Sequence, residues 1–259
     1  MSGLVDTSIE HDAVDEKVLR ERAERAHAFD AYAADIARIR SGRRRATVPS
    51  WRNGGELWRD DGNVLTRGAD GVPRYVMVAF ERPLMEKTAE ILCRSGGHVL
   101  NVGFGCGLVD EAIAAHSPRS HTIVEAHPQV LAWMRDAGWM SRPGVEIIED
   151  CWEDVDWTPF KHHFDAVYND VFPFESGEMD LRLWFEVVRL VLKPRTGVCV
   201  LYGPDLSEDA VGGLLRKFRG TVNVQWDACR VEVPFVIPEW RRLGTGTHTI
   251  RIPWFIIDC

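Results

Sequence analysis

The sequence predicts an α/β fold in which helices cover a mostly parallel sheet that ends in an antiparallel hairpin. Short apolar runs alternate with helical patterns from residue 98 to residue 218. A glycine-rich turn, GFGCG, follows the first of these runs. Near the end of the chain, 222–236 and 247–258 are both strand-like, with no helical pattern between them. Strand–helix alternation is typical of a parallel sheet covered on both faces.

Each predicted element has a local signal in the residues. Pro83 suits the first turn of a helix that runs to about Cys93 and stops before Gly96 and Gly97. Apolar runs predict strands at 98–102, 121–125, 145–149, 164–169 and 197–202. The stretches between them predict helices at 108–116, 128–137, 178–192 and 207–218.

The N-terminal part of the chain differs in pattern. Apolar residues at near-helical spacing within 11–40 predict one long amphipathic helix, ended by Ser41 and Gly42. We expect its apolar stripe to be buried, over an active-site lid or against a second subunit in a homodimer. The arginines of GRRRA are interpreted as a solvated helix end, where the dipole favours cations, with a phosphate contact as the alternative. Residues 47–75 lack clear periodicity, so we expect a connecting segment or lid.

Composition excludes several classes of partner. The chain has 259 residues, a net charge of −8 and a pI near 5.6, which does not favour nucleic acid or an anionic membrane. No apolar run approaches the roughly 20 residues that span a bilayer. Without an export signal, the six isolated cysteines indicate reduced thiols in a cytoplasmic protein. His162 and His163 lack a third spaced ligand, so no metal site is predicted.

The glycine turn is not one of the two common nucleotide motifs. A dinucleotide fingerprint would place its third glycine at position 108, which is Leu108, and no Lys-Ser or Lys-Thr follows as in a P-loop. Gly103, Gly105 and Gly107 would let a ligand approach the backbone at the carboxyl edge of the strands. A plain tight turn remains the alternative on this motif alone.

Glu125 makes a ligand site the better interpretation. It ends the second predicted strand, eighteen positions after Gly107, where a carboxylate can accept both hydroxyls of a ribose. An ordinary solvent-facing acid is the alternative. Trp152 in EDCWEDV could flank an adenine ring, although core packing explains such a residue equally well. No phosphate-binding lysine or arginine lies near the turn, so the predicted ligand is S-adenosylmethionine, a nucleoside with a zwitterionic tail.

Several segments together resemble the guanidinoacetate N-methyltransferase family, whose relatives include fungal and bacterial arginine methyltransferases. They are GGHVLNVGFGCG, IVEAHP, CWEDV, HFDAVYNDVFP and VLKPRTGV, and the similarity covers roughly residues 75–201. The resemblance implies a Rossmann-like class I methyltransferase fold with a seven-stranded sheet. We therefore divide the chain into an N-terminal helical extension and lid segment, 1–75, and a methyltransferase domain, 76–259.

The resemblance also assigns site residues. Glu81 and Asp170 match the two acidic substrate residues of the family, and Asn169 stands where the family has a tyrosine. Asn101 stands where the family usually has an acid. The implied cofactor contacts are Met77, Met85, Asn101, Gly103, Phe104, Gly105, Gly107, Glu125, Cys151 and Trp152.

Two carboxylates, Glu81 and Asp170, suit a guanidinium as acceptor. A guanidinium presents five N–H donors in a planar fork, which carboxylates accept in pairs. Because its pKa lies above ~12, one acid must take a proton as the C–N bond forms. We assign Asp170 as proton acceptor and Glu81 as orienting partner. The alternatives are a turn-capping acid for Asp170 and a helix N-terminal charge for Glu81.

The acceptor is expected to be a small guanidino compound. L-Arginine is slightly favoured over guanidinoacetate, because the loop YGPDLSED, 202–209, departs from the family's substrate-tail loop. Two alternatives stay open. One is methylation of arginine within a protein. The other is an inactive cofactor-binding protein that acts through its N-terminal helix.

Overall fold

The structure is a computed structural model that describes residues 55–67, 71–171, 181–203, 206–216, 221–237, 240 and 242–258. The predicted N-terminal helix, the arginines after it and any homodimer contact through that helix lie outside the described residues. Among the described residues, no helix has the length and apolarity needed to cross a membrane. The cysteines in the described part are free thiols.

Ten strands and five α-helices make up the described part. The strands are β1 Leu57–Asp60, β2 Asn63–Arg67, β3 Pro73–Met77, β4 His98–Val102, β5 Ser120–Glu125, β6 Val145–Glu149, β7 Ala166–Asn169, β8 Val198–Leu201, β9 Thr221–Val233 and β10 Gly246–Asp258. The α-helices are α1 Arg82–Leu92, α2 Leu108–Ala115, α3 Pro128–Asp136, α4 Leu181–Val191 and α5 Glu208–Leu215.

Seven strands form the main sheet, in the order β6-β5-β4-β7-β8-β10-β9. β6, β5, β4, β7 and β8 run parallel. β10 is antiparallel to both β8 and β9, which confirms the predicted C-terminal hairpin. Since two reversals cancel, β9 runs in the direction of β8, so the connection between β9 and β10 lies at the carboxyl edge of the parallel strands.

Alternate residues of each parallel strand supply the cores on the two faces of the sheet. Val99 of β4 packs in the core that α1, α2 and α3 cover, with Met85, Val109 and Met134. Leu100, the next residue, packs in the core on the other side, under α4 and α5. Both faces of β4 are therefore buried, which explains why its sequence is largely apolar.

The segment predicted as a connecting lid contains a second sheet. β1, β2 and β3 form a three-stranded antiparallel sheet in which β2 is central. The sequence shows no clear periodicity here, because four- and five-residue strands between glycine and aspartate turns leave too few residues to show a period. The third strand, Pro73–Met77, also spans the boundary placed after residue 75.

The remaining elements follow the predicted positions closely. One strand, predicted over 164–169, begins later, because Phe164 makes only an isolated bridge to Leu192. α5 ends at Leu215, before the predicted end at 218.

Candidate active site

The ends of the central parallel strands lie side by side. Val102 of β4 is in register with Val124 of β5 and with Asn169 of β7, which in turn pairs with Leu201 of β8. The residues that follow these strands therefore meet along one edge. Glu125 closes β5 at the same level.

Each glycine of the turn combines a positive φ with a close neighbour. Gly103, Gly105 and Gly107 all have positive φ, at 92°, 58° and 81°. A Cβ would lie 2.7 Å from the Asp170 backbone oxygen at Gly103, and 2.7 Å from the Met77 methyl at Gly105. At Gly107 it would lie 2.6 Å from the Phe104 ring. The spacing predicted from sequence thus reflects three separate steric constraints.

A buried polar group lies beneath the turn. Asn101 Nδ2 donates to the Gly103 carbonyl and to Asp110 Oδ1, both at 2.9 Å. His121 Nε2 lies 3.0 Å from the same Asp110 oxygen. Asn101 Oδ1 has no hydrogen-bond partner among the described residues. Asn101 therefore supports the backbone of the turn, and its side chain does not line the cleft described next.

A cleft opens between the glycine turn and the small sheet. It encloses about 760 Å³ of empty space, including the part open to solvent. Its lining residues are Leu57, Val64, Val76, Met77, Gly103, Gly105, Glu125, Ala126, His127, Val130, Cys151, Trp152, Glu153, Asp170 and Val171. These described lining residues include three acids but no lysine or arginine, so the cleft favours a cationic ligand without phosphate.

Glu125 has a double role at this edge. Its Oε2 accepts from the Phe104 backbone N–H at 2.9 Å, and its Oε1 accepts from the N–H groups of Ala126 and His127, each at 2.7 Å. The carboxylate is thus fixed in place while it lines the cleft. A carboxylate offers about four lone-pair positions, so these bonds leave capacity for a ligand hydroxyl.

The predicted cofactor residues divide into two groups. Met77, Gly103, Gly105, Glu125, Cys151 and Trp152 line the cleft. Phe104 lies behind the turn with its ring against Trp139, at a centroid distance of 5.2 Å. Met85 is fully buried and its sulfur lies 3.8 Å from the Tyr168 hydroxyl, and Gly107 precedes α2.

Glu81 is buried at the start of α1 but does not cap that helix. Its side chain makes no capping hydrogen bond, although it occupies the N-cap position. Instead, Oε1 accepts from the Tyr202 hydroxyl at 2.5 Å and from Trp240 Nε1 at 2.8 Å. With an exposed fraction of 4%, this is a carboxylate held in an aromatic setting rather than a surface helix-end charge.

Asp170 follows β7 and lines the cleft close to Glu81. Burial, and next the nearby Glu81 and Asp110 carboxylates, raise the pKa of Asp170 from 3.8 to about 8. The Tyr168 hydroxyl bonds to Asp170 and opposes the rise. Asn169, beside it, accepts from the Val171 N–H through Oδ1 at 3.1 Å, and its Nδ2 has no partner among the described residues. The structure therefore brings the two predicted acids into one electrostatic unit.

Sequence reasoning missed two partners of Glu81. Tyr202 directly follows β8 at the carboxyl edge, so the strand-end rule that identified Asp170 would also have found it. Trp240 lies in the connection between β9 and β10, and no local pattern marks it. Burial and the Glu81 charge raise the pKa of Tyr202 well above its usual value, which keeps its hydroxyl a donor.

The cleft fits S-adenosylmethionine. Its acids suit ribose hydroxyls and a sulfonium, and the glycines with positive φ make room that a Cβ would fill. The fold and the cleft are those of the S-adenosylmethionine-dependent methyltransferase class. More specifically, the chain belongs to the guanidinoacetate N-methyltransferase family, whose sequence model matches residues 57–197.

Named relatives and a solved structure resemble parts of the chain. Protein arginine N-methyltransferase 2 of Aspergillus fumigatus is 33% identical over 71% of this chain and 43% of its own length. The protein of the same name from Saccharomyces cerevisiae is 30% identical over 71% and 46%. The chain thus spans less than half the length of these curated relatives. TYW2 of M. jannaschii, solved in complex with AdoMet, has a TM-score of 0.48 and 13% identity over 78% of this chain and 86% of that one.

Proposed function

We propose that this chain methylates the guanidino group of arginine, with arginine in a protein as the acceptor. The guanidino acceptor is inferred from a pair of neighbouring acids, Glu81 and Asp170, which belong to different elements. The preference for protein-bound arginine has another source. It rests on the names of the relatives, which favour it over the free arginine expected from the sequence.

A planar cation fits this pair better than a neutral acceptor does. Burial and next the neighbouring Glu81 carboxylate raise the pKa of Asp170, and a guanidinium between the two acids would remove the repulsion between them. Tyr202 and Trp240 hold Glu81 from one side, so its carboxylate plane is set before the acceptor enters. Glu81 would therefore orient the guanidinium by accepting its N–H donors.

Asp170 is the proton acceptor in this proposal. S-Adenosylmethionine supplies an electrophilic methyl group on a sulfonium. As the N–CH₃ bond forms and the S–CH₃ bond breaks, the attacking nitrogen loses its proton to Asp170, and S-adenosylhomocysteine and methylguanidinium remain. A carboxyl whose pKa lies near the working pH accepts and later releases a proton efficiently. The bound guanidinium keeps Asp170 ionised until the transfer, because an opposite charge lowers a carboxyl pKa.

The test is methyl transfer to a panel of acceptors. The chain would be incubated with S-adenosylmethionine and, separately, with N-acetyl-Gly-Arg-Gly amide, free L-arginine, guanidinoacetate and the matching lysine peptide. Mass spectrometry should show a methyl group on the arginine peptide in preference to the free compounds, and none on lysine. Transfer to the free compounds alone would refute the protein acceptor, and transfer to lysine would refute the guanidino site.

A further inference from the structure

The cofactor cleft lies between two separate sheets. Leu57, Val64, Val76 and Met77 belong to the small sheet. On the other side, Glu125 ends a strand of the main sheet, and Gly103, Gly105 and Trp152 follow such strands. A ligand bound there is enclosed only while the two sheets stay together. The contacts that join them therefore affect how firmly the cofactor is held.

β1 is joined to the start of α3 by a reciprocal pair of hydrogen bonds. The Leu57 backbone N–H donates to Gln129 Oε1 at 2.8 Å, and Gln129 Nε2 donates to the Leu57 carbonyl at 3.1 Å. The Gln129 amide thus satisfies both backbone groups of Leu57, as a neighbouring strand would. Two residues farther along β1, the Arg59 guanidinium lies 4.2 Å from the centre of the Trp133 ring, also on α3.

His127 makes a second connection at the same place. Its Nδ1 accepts from the Gln129 N–H at 3.2 Å and so caps α3. This requires the ring proton on Nε2, which lies 3.0 Å from the Gly55 carbonyl and donates to it. The backbone N–H of His127 donates to Glu125 at 2.7 Å. One residue therefore links the carboxylate in the cleft to the segment that leads into the small sheet.

We propose that His127 and Gln129 are positioning residues that hold the small sheet closed over bound S-adenosylmethionine. They act through Gly55 and Leu57, and both Leu57 and His127 line the cleft. Both residues follow Glu125 directly, so the ribose end of the cleft and the closing contacts share one short segment. The proposal concerns the cofactor alone and is independent of which acceptor the enzyme methylates.

The variant Gln129→Glu separates closure from helix stability. An acid in the first turn of α3 is favourable for the helix, and it can still accept from the Leu57 N–H. It cannot donate to the Leu57 carbonyl. We expect the dissociation constant and dissociation rate of S-adenosylhomocysteine to rise about 3- to 10-fold, as for one lost hydrogen bond. Thermal unfolding of the ligand-free protein should stay close to wild type.

A matched control makes the same chemical change elsewhere. Gln225 is exposed on β9, and its amide donates to Asn223. Gln225→Glu should bind S-adenosylhomocysteine as the wild type does. An equal loss of affinity in this control would overturn the proposal, because the effect would then be a general one of added charge.

A second variant tests the other connection. His127→Asn keeps a favoured N-cap residue, yet its side chain is too short to reach the Gly55 carbonyl. The KM for S-adenosylmethionine should rise while kcat at saturating cofactor stays within about twofold, the pattern of lost binding rather than lost chemistry. Wild-type cofactor affinity and dissociation rate in both folded variants would overturn the proposal.

A measurement on the unaltered protein avoids any folding defect. Hydrogen–deuterium exchange of the peptide that contains Leu57 should slow when S-adenosylhomocysteine is added, because closure protects the amide bonded to Gln129. Unchanged exchange in that peptide at saturating ligand would contradict closure. This experiment uses no acceptor, so its failure and a failure of the arginine proposal are distinguishable.

Discussion

The Asp170 carbonyl oxygen lies where a side chain on residue 103 would have to be, 2.7 Å from an ideal Cβ on Gly103. The Asp170 N–H also donates to the Val102 carbonyl at 3.0 Å. The glycine turn after β4 and the acid after β7 are therefore one packed unit. A change in the turn should disturb both the cofactor cleft and the position of Asp170.

Gly103→Ala should weaken both stability and cofactor binding. The added methyl group meets the Asp170 backbone, and the φ of 92° strains any residue with a Cβ. Such strain costs on the order of 1–3 kcal/mol, before the clash is counted. Thermal unfolding and calorimetry with S-adenosylhomocysteine measure the two effects. Gly71→Ala is the matched control, since its φ is 77° with nothing within 4 Å of the new Cβ. If both variants lose equal stability and both keep cofactor affinity, the close contact has no role.

Glu125→Ala should reduce cofactor affinity. The variant loses a carboxylate that lines the cleft and that also accepts the Phe104 N–H. Lost hydrogen bonds to a charged acceptor cost about 1.5–3 kcal/mol, or roughly 10- to 100-fold in the dissociation constant. Glu149→Ala is the control, because Glu149 is the register partner of Glu125 on β6 and pairs with Arg135 outside the cleft. Unchanged S-adenosylhomocysteine affinity in Glu125→Ala would contradict its assignment.

Trp240→Phe should impair turnover but leave cofactor binding intact. The substitution keeps an aromatic ring against Phe80, at a present centroid distance of 5.2 Å, and removes the N–H that donates to Glu81. We expect kcat/KM for the acceptor to fall about 10- to 100-fold. Trp254→Phe removes a similar bond to Asp227 outside the site and serves as control. If Trp240→Phe and Trp254→Phe had the same kcat/KM, the hydrogen bond from Trp240 to Glu81 would have no role in turnover.

The variants Asp170→Asn and Glu81→Gln should both impair methyl transfer, because the two acids hold one guanidinium. Each keeps the side-chain shape and loses the charge, so turnover should fall far more than S-adenosylhomocysteine affinity. Loss of a general base typically costs about 10²- to 10⁴-fold in rate. The double variant should lose less than the product of the two single effects, because both acids hold one planar cation. Steady-state kinetics, with circular dichroism to confirm folding, decide this. Near-normal turnover in Asp170→Asn would refute the proton-acceptor role.

The stability of the ligand-free protein should depend on the protonation of Asp170. Its pKa is raised from 3.8 to about 8, so the folded state keeps a proton that the unfolded chain releases between these values. The contribution of this group is therefore complete below about pH 4 and is lost as the pH rises towards about 8. Urea unfolding at about pH 5 and about pH 9 should show a larger loss of stability in the wild type than in Asp170→Asn. If the wild type and Asp170→Asn lost the same stability between these two pH values, the pKa of Asp170 would not be raised.

Local pattern determined the order and type of most elements. β4 has the predicted bounds, because a strand buried on both faces appears in sequence as a largely apolar run. β6 also has the predicted bounds, although it is an edge strand whose two glutamates are exposed. Gly103, Glu125 and Asp170 were found because a parallel sheet places the residues after its strands at one edge. In each case the signal lies within a few residues of the feature that it predicts.

Only the tertiary structure determined which distant residues meet at the site. The bonds of Glu81 to Tyr202 and Trp240 join positions 121 and 159 residues apart, and Gln129 meets Leu57 across 72 residues. The strand order places the connection after β9 at the edge of the sheet where the site lies, and that order follows from how the seven strands of the main sheet pair rather than from any local period. The small sheet escaped prediction for a related reason. Its short strands are specified by pairing with one another and by packing over the cleft, so their own residues carry little periodic signal.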